Sequence, residues 1–207
     1  MPNYFIPIVY LHLLAGTGLT FLSSEHPLST SLAYRITVSI LPLLLLFVLF
    51  FMSNGIFKYA VAALFCILLG QTLSVLVEQL QQKELLPKVL ASVLGIFAAM
   101  TAVGFYDSQN LLGFGGYFLT ALVGLLIGQV GFLIAMGYGV SKETLLNVQT
   151  GLSMIGTALF SIYVAYDTQL LKKVAKSKIK PDYIDASMGL YLDFINLFVN
   201  VGDLMDN

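Results

Sequence analysis

Long apolar runs, each followed by a short polar connection, make up most of this chain. An α-helix needs about 20 apolar residues to cross the hydrocarbon core of a bilayer. Seven runs approach this length, and they predict membrane-spanning helices near residues 4–23, 36–56, 58–77, 87–106, 111–137, 144–168 and 184–205. The connections are too short to hold a second domain, so we expect one seven-span transmembrane domain over residues 1–207.

The seventh run carries a stripe of polar residues. At 100° per residue, these positions fall within an arc of roughly 80°. They are Asp185, Gly189, Asp193, Asn196, Asn200 and Asp203. Polar groups in hydrocarbon need a partner, so this helix is expected at the centre of the bundle or along an aqueous path. The two asparagines alone would also fit a role as packing groups between helices.

The sixth run shows a matching face. Residues at alternating spacings of four and three share this face, and that is the period of a packed helix–helix seam. They are Gln149, Ser153, Gly156, Phe160, Tyr163 and Asp167. A short, lysine-rich connection joins the sixth run to the seventh, so the two helices are expected to be antiparallel neighbours. Asp167 lies just before this connection and Asp193 about two to three turns after it, so frayed or extended helix ends can bring the two carboxyls together.

Asp167 and Asp193 each lie in an otherwise apolar run. A carboxylate at membrane depth costs about 2.5–3.5 kcal/mol on insertion scales, so such a residue indicates function. Two carboxyls in a dry site cannot both ionise cheaply, and we expect the pair to hold one proton and to titrate as a unit. Protonated, the pair would latch the two helices through a carboxyl–carboxyl hydrogen bond; deprotonated, its members would repel each other.

Two other roles for these acids stay open at this point. Their oxygens could ligate a hard cation such as Ca²⁺. Alternatively, each acid could find a separate hydrogen-bond partner and only fix the packing of its helix. Two intramembrane aspartates on separate helices also occur in aspartyl intramembrane proteases. Tyr166-Asp167 matches one signature of those enzymes, but Leu192-Asp193 lacks the Gly-x-Gly-Asp of the other.

The composition indicates that the chain lies in a membrane, and it excludes several classes of function. The chain is 58% hydrophobic and 10% charged, with a mean hydropathy of +0.89, so we expect an all-α polytopic membrane protein. A net charge of −1 without a basic domain argues against nucleic acid as a partner. The sequence contains no metalloprotease helix motif, nucleophile elbow or phosphate-binding loop. We therefore expect neither an enzyme nor a bound cofactor.

The acid-bearing segments also resemble a known family. Residues 166–169 (Tyr-Asp-Thr-Gln) and 190–198 (Leu-Tyr-Leu-Asp-Phe-Ile-Asn-Leu-Phe) resemble the last two helices of the Bax inhibitor (transmembrane Bax inhibitor motif) family. Residues 9–16 and 112–117 are similar to its opening helix and to its glycine-rich fifth helix. The resemblance implies seven helical spans with the last helix at the centre. It also implies a proton-gated calcium leak, with cell-death suppression in eukaryotic members.

Carried over by motif, the resemblance makes Asp167 and Asp193 the paired acids of a pH latch. It makes Lys58 the candidate counter-charge, near the place where some members have an arginine. The expected function is a pH-sensitive calcium leak channel, in which Ca²⁺ is a permeant or transiently bound ion. The rest of the stripe supplies the candidate ion path or central polar stripe, namely Asp185, Asn196, Asn200 and Asp203.

The alternative function is a non-conducting membrane regulator or structural subunit that acts through protein partners, such as cell-death regulators. The expected partners are otherwise membrane lipid, Ca²⁺ and protons. The expected location is an endomembrane, such as the endoplasmic reticulum or Golgi, if the source is eukaryotic or viral. It is the inner membrane if the source is bacterial. The mitochondrial inner membrane is disfavoured because no basic amphipathic presequence is present.

Overall fold

The computed structural model describes residues 4–29, 31–106, 110–177 and 182–207. These residues form seven long α-helices and one short 3₁₀ turn at Leu111–Phe114. The helices are α1 (Phe5–Ser24), α2 (Leu32–Phe51), α3 (Ile56–Gln82), α4 (Leu86–Tyr106), α5 (Gly115–Gly137), α6 (Lys142–Lys176) and α7 (Tyr183–Asp206). All seven are long and apolar enough to cross a membrane. The predicted all-α, seven-span architecture is confirmed.

Helix α2 lies about five residues earlier in the chain than its apolar run predicts. It begins at Leu32 instead of residue 36, because Ser31 caps it: the Ser31 hydroxyl accepts a hydrogen bond from the backbone N–H of Tyr34 at 3.3 Å. It ends at Phe51 instead of residue 56, where Met52 takes an extended backbone conformation. The boundaries of this helix therefore depend on capping and backbone geometry and not on hydropathy.

Helices α3 and α6 extend beyond their apolar runs. Helix α3 reaches Gln82 where the prediction ended at residue 77, and α6 reaches Lys176 where it ended at residue 168. The added segments, residues 78–82 and 169–176, are rich in glutamine, leucine and lysine, which favour helix without being apolar enough to extend a span. Residues 178–181 of the lysine-rich connection lie outside the described residues.

Packing divides the chain into two compact units. The first comprises Met1–Gln82 and Val174–Tyr191, and so contains α1, α2, α3 and the start of α7. The second comprises Lys83–Lys173 and Leu192–Asn207, and so contains α4, α5, most of α6 and the rest of α7. The expectation of one domain over residues 1–207 stays a prediction.

In the first unit, α1 and α3 approach each other through a glycine. Gly70 of α3 lies against the carbonyl oxygen of Thr20, and a methyl group on Gly70 would overlap that oxygen. The Thr20 hydroxyl lies 3.1 Å from the carbonyl oxygen of Cys66 and 2.6 Å from the Tyr191 hydroxyl. These contacts hold α1, α3 and the start of α7 together.

A buried ammonium group joins the start of α3 to the start of α7 in the same unit. The Lys58 side chain is 0% exposed, and its Nζ lies 2.9 Å from Oδ2 of Asp182 and also contacts the Asp185 carboxylate. Nζ donates in addition to the carbonyl oxygen of Met52 at 3.2 Å. Oδ1 of Asp182 caps α7 by accepting from the N–H groups of Ile184 and Asp185. Two acids therefore face one cation at this point, and the cluster carries a net charge of −1.

In the second unit, a glycine lets α4 pack tightly on α6. Gly104 lies against the carbonyl oxygen of Ala165 and the side chain of Thr168, with no room for a methyl group. Further along α4, the Phe97 ring meets the Phe194 ring of α7 edge-on, with centroids 5.6 Å apart. Helix α6 is thereby fixed close to the position of Asp167.

Burial differs strongly among the helices. In α7, 61% of the most apolar stretch is buried, compared with 6% in the span that contains α5. Leu125 is the one buried residue of α5 in the part of the chain that the structure describes. The last helix is thus the most enclosed of the seven, as expected of a central helix, and the exposed apolar surface of α5 suits contact with lipid.

Replacing Lys58 with methionine removes the cation and leaves two facing carboxylates. Breaking a buried ion pair costs about 3–5 kcal/mol. The side chains of Asp182 and Asp185 are 18% and 58% exposed, so the cost here should be smaller. We expect the free energy of unfolding, measured by heating in detergent, to fall by roughly 2–3 kcal/mol. The matched control is Lys83→Met, because Lys83 pairs with Asp206 while 53% exposed and should lose less than about 1 kcal/mol. Equal losses in the two variants would contradict the buried role of Lys58.

Candidate functional site

The two acids predicted to form a pair lie in the second unit, on α6 and α7. Asp193 is only 4% exposed, and Asp167 is half-buried. Their carboxyl groups are close enough to interact electrostatically. Oδ2 of Asp193 is buried and has no hydrogen-bond partner among the described residues. The pair is therefore a nearly dry site with an oxygen that a proton or a cation would satisfy.

A phenol accompanies the acid pair. Tyr163 lies one turn before Asp167 on α6 and interacts electrostatically with both carboxyl groups. Its ring packs against those of Tyr166 and Phe118, with centroids 6.1 and 6.0 Å away. The seam pattern predicted the position of Tyr163 but no role for it. The spacing of four residues from Asp167, which places two side chains on one helix face, is the signal that would have found it.

Two further contacts continue the seam toward the end of α7. Gly156 lies so close to the Asn200 side chain that a methyl group on Gly156 would overlap the amide. The Ser153 hydroxyl donates to Oδ2 of Asp203 at 3.3 Å, and Gln149 also bonds to the Asp203 carboxyl. The predicted face of α6 and the predicted stripe of α7 thus meet within the second unit.

The two asparagines of the stripe bond within their own helix. Nδ2 of Asn196 donates to the carbonyl oxygen of Leu192 at 2.8 Å, and Nδ2 of Asn200 donates to that of Asn196 at 2.7 Å. A donor of each amide is thus satisfied without a neighbouring helix, which the stripe pattern did not indicate. The amide oxygens are the atom type that a hard cation takes as ligands. A role for them in an ion path stays a prediction.

Asp185 has a different setting from the rest of the stripe. It lies in the first unit, where it and Asp182 bond to the ammonium group of Lys58. The role of Lys58 as counter-charge to Asp167 and Asp193 stays a prediction. Asp182 was missed as a partner of Lys58. Its place directly before the first residue of α7 is typical of a helix cap, and that is the signal that could have found it.

The described residues contain no group of three or more histidine, cysteine, aspartate or glutamate side chains that could hold a metal ion. A bound Ca²⁺ takes six to eight oxygen ligands, of which two carboxylates can supply at most four. The chemistry of Asp167 and Asp193 therefore suits an ion that keeps part of its water shell, as a transiently bound ion does.

Comparison with known proteins identifies a family whose model matches nearly the whole chain. Residues 2–207 match the family model described as inhibitor of apoptosis-promoting Bax1. An uncharacterized protein of Deinococcus radiodurans is 32% identical over 207 residues, which are 95% of this chain and 86% of that protein. Bax inhibitor 1 of Schizosaccharomyces pombe is 27% identical over 195 residues, or 94% of this chain and 66% of its own. The inner membrane protein YbhL of Escherichia coli is 32% identical over 112 residues, or 51% of this chain and 44% of its own.

The Gly156→Ala variant tests whether α6 and α7 approach each other closely because glycine has no side chain at this position. The new methyl group would overlap the Asn200 amide, and overpacking of this kind costs about 1–3 kcal/mol. We expect a net loss of roughly 1–2 kcal/mol in thermal unfolding, because alanine also favours helix. The control is Gly151→Ala on the same helix, where nothing lies within 4 Å of the added atom. Gly151→Ala should leave the free energy of unfolding unchanged or raise it. A loss as large as that of Gly156→Ala would contradict the packing explanation.

Proposed function

Because this chain belongs to the Bax inhibitor family, we propose that it is a pH-sensitive calcium leak channel gated by Asp167 and Asp193. It is a multi-pass integral membrane protein, with seven helices able to cross a bilayer. The observation that carries the proposal is the buried acid pair on α6 and α7, in which one oxygen of Asp193 has no hydrogen-bond partner among the described residues.

The gate rests on the cost of two like charges in a dry site. When the pair shares a proton, a carboxyl–carboxyl hydrogen bond joins α6 and α7 and satisfies the buried oxygen. When that proton leaves, two carboxylates face each other where repulsion is strong, because little solvent screens them. Their separation opens the seam at this point. Rising pH therefore favours the open state, and falling pH favours the latched state.

The same carboxylates would attract the permeant ion. Once deprotonated, Asp167 and Asp193 offer oxygen ligands to Ca²⁺, and the side-chain oxygens of Asn196, Asn200 and Asp203 follow along α7. Asp185 precedes them on the same helix, with 58% of its side chain exposed. An exposed acid there raises the local concentration of cations, although its contact with Lys58 offsets part of that charge. Ca²⁺ is cargo in this proposal, and no resident cofactor is required.

The names of two relatives support the biological setting that we propose. The Schizosaccharomyces pombe relative is named Bax inhibitor 1, and the Escherichia coli relative is named an inner membrane protein. In a eukaryotic or viral setting we propose an endomembrane location, with suppression of cell death. In a bacterium we propose the inner membrane. The competing function is a non-conducting regulator or structural subunit that works by binding cell-death regulators or other membrane proteins.

The experiment is Ca²⁺ flux through purified protein in liposomes across the neutral pH range. We expect flux in the wild type to rise several-fold as pH increases. Asp167→Asn and Asp193→Asn each leave one carboxyl and place beside it an amide that can donate a hydrogen bond to it. The repulsion between two carboxylates is then lost, so each variant should give a low flux with little response to pH. The matched control is Glu143→Gln, which removes an exposed carboxylate at the start of α6 and should leave the pH response intact.

Two outcomes would redirect the proposal. No flux above empty liposomes at any pH, from folded protein, would leave the partner-binding role as the better reading. The second outcome is labelling of the wild type by an active-site probe for aspartyl proteases. If Asp167→Asn and Asp193→Asn abolish that labelling, the chain would instead cleave peptide bonds. We propose that the chain is not an enzyme and expect no labelling.

A further inference from the structure

A polar cavity of about 200 Å³ opens on the first unit beside α2 and α3, and none of the residues assigned to the gate lines it. Its lining includes Tyr34, Arg35 and Ser39 of α2 and Ser74 and Glu78 of α3. Arg35 lies in the first turn of α2, and Glu78 lies four residues before the end of α3. The two helices are consecutive and antiparallel, so both charged residues lie at the same end of this helix pair. That end is where headgroups begin if both helices cross the bilayer.

One wall of this cavity is held in place by a buried amide. Gln71 is only 5% exposed, and its Nε2 donates to the carbonyl oxygens of Ser23 and His26 at 2.6 and 3.2 Å. Its Oε1 accepts from the N–H of Leu28 at 2.9 Å and from the hydroxyl of Tyr34 at 2.6 Å. The segment of residues 23–28 and the Tyr34 ring are therefore fixed against α3. The cavity is preformed by these bonds.

Two opposite charges line the cavity without neutralising each other. In the residues that the structure describes, the Arg35 guanidinium has no hydrogen bond and no ion pair. Glu78 accepts one weak bond from Nε2 of Gln82 at 3.3 Å and likewise forms no ion pair in this part of the chain. A ligand that carries both a positive and a negative charge would satisfy both residues at once.

The cavity's serines favour a ligand that donates hydrogen bonds. The Ser39 hydroxyl donates to the carbonyl oxygen of Arg35, and the Ser74 hydroxyl donates to that of Gln71, both at 2.8 Å. Their hydrogens are therefore engaged, and their oxygens are left as acceptors. A primary ammonium group has three N–H donors to offer, whereas a trimethylated ammonium has none. Arginine, for its part, suits a phosphate group, which it binds through two parallel N–H bonds.

An exposed apolar strip starts beside Arg35 and runs along α2. Its residues are spaced by four, three and four positions, so they share one helix face, and each is more than half exposed. They are Ile36, Ile40, Leu43 and Phe47. A strip of this kind, beginning at a charged cavity, suits the acyl chains of a lipid whose headgroup occupies that cavity.

We propose that this cavity binds one molecule of an ethanolamine phospholipid. The phosphate lies against Arg35, the primary ammonium lies against Glu78 and the oxygens of Ser39 and Ser74, and the acyl chains follow the exposed strip of α2. Binding at this site is independent of the acid pair, so it stands whether or not the chain conducts Ca²⁺.

The test is native mass spectrometry of the purified, delipidated protein with phosphatidylethanolamine, phosphatidylcholine or phosphatidylglycerol of identical acyl chains. We expect a one-to-one complex with phosphatidylethanolamine that is about tenfold tighter than with phosphatidylcholine, because charge-assisted hydrogen bonds are lost with the methylated headgroup. Glu78→Gln should weaken phosphatidylethanolamine more than phosphatidylcholine, and it should cut the preference to about threefold, the part that the oxygens of Ser39 and Ser74 supply. Arg35→Gln should weaken both zwitterionic lipids by about tenfold, and Arg35→Lys should weaken them less.

Lys142→Gln and Glu143→Gln provide matched controls, since each removes one exposed charge in the second unit. Both should leave lipid binding unchanged. Unchanged melting temperatures of the Arg35 and Glu78 variants would show that loss of binding is not loss of fold. Equal affinity of the wild type for the two zwitterionic lipids, tighter binding of phosphatidylglycerol, no complex at all, or full binding by Arg35→Gln would each overturn the proposal.

Discussion

Inside a bilayer, a polar group must find its hydrogen-bonding partner within the protein, because hydrocarbon offers none. Many polar side chains of these helices meet this constraint locally: Thr17, Thr168 and Asn196 each donate to a backbone carbonyl one turn earlier. Bonds of this kind require no neighbouring helix. Oδ2 of Asp193 is buried without such a partner among the described residues, next to a second acid. This oxygen can therefore gain a partner only from outside its own helix: a proton, a cation, or a group that a movement of the helices brings close.

Charge balance distinguishes the two charged centres that α7 carries. At its start, Asp182 and Asp185 face the ammonium group of Lys58, so the acids and the cation stabilise each other. Eight residues beyond Asp185, or about 12 Å along the helix axis, Asp193 faces Asp167, which has the same sign of charge. The first centre needs no proton to be stable. Under the proposed function the second gains stability from one, and protonation acts on α7 there.

Some features of this structure follow from neighbouring residues in the sequence, whereas others depend on residues that are far apart in the chain. Seven apolar runs predicted the number and order of the helices, because crossing a bilayer needs about 20 apolar residues in any arrangement. The seam period of α6 and the polar stripe of α7 also placed Asp167 and Asp193 on faces that meet. Hydropathy could not give the start of α2, which a single hydroxyl of Ser31 decides. Nor could it pair Lys58 with Asp182, since 124 positions separate them and only the fold brings them together.

Close backbone contact determines which helix can respond to the acid pair. Gly104 of α4 presses on the backbone of α6 and on Thr168, the residue next to Asp167, so that side of α6 has no free space. About three turns away, Gly156 of α6 rests against the Asn200 side chain of α7. The contact with α4 involves the α6 backbone itself, whereas the contact with α7 involves a side chain that can rotate. Under the proposed function, repulsion between the carboxylates would therefore move α7 away from α6, while α4 keeps α6 in place.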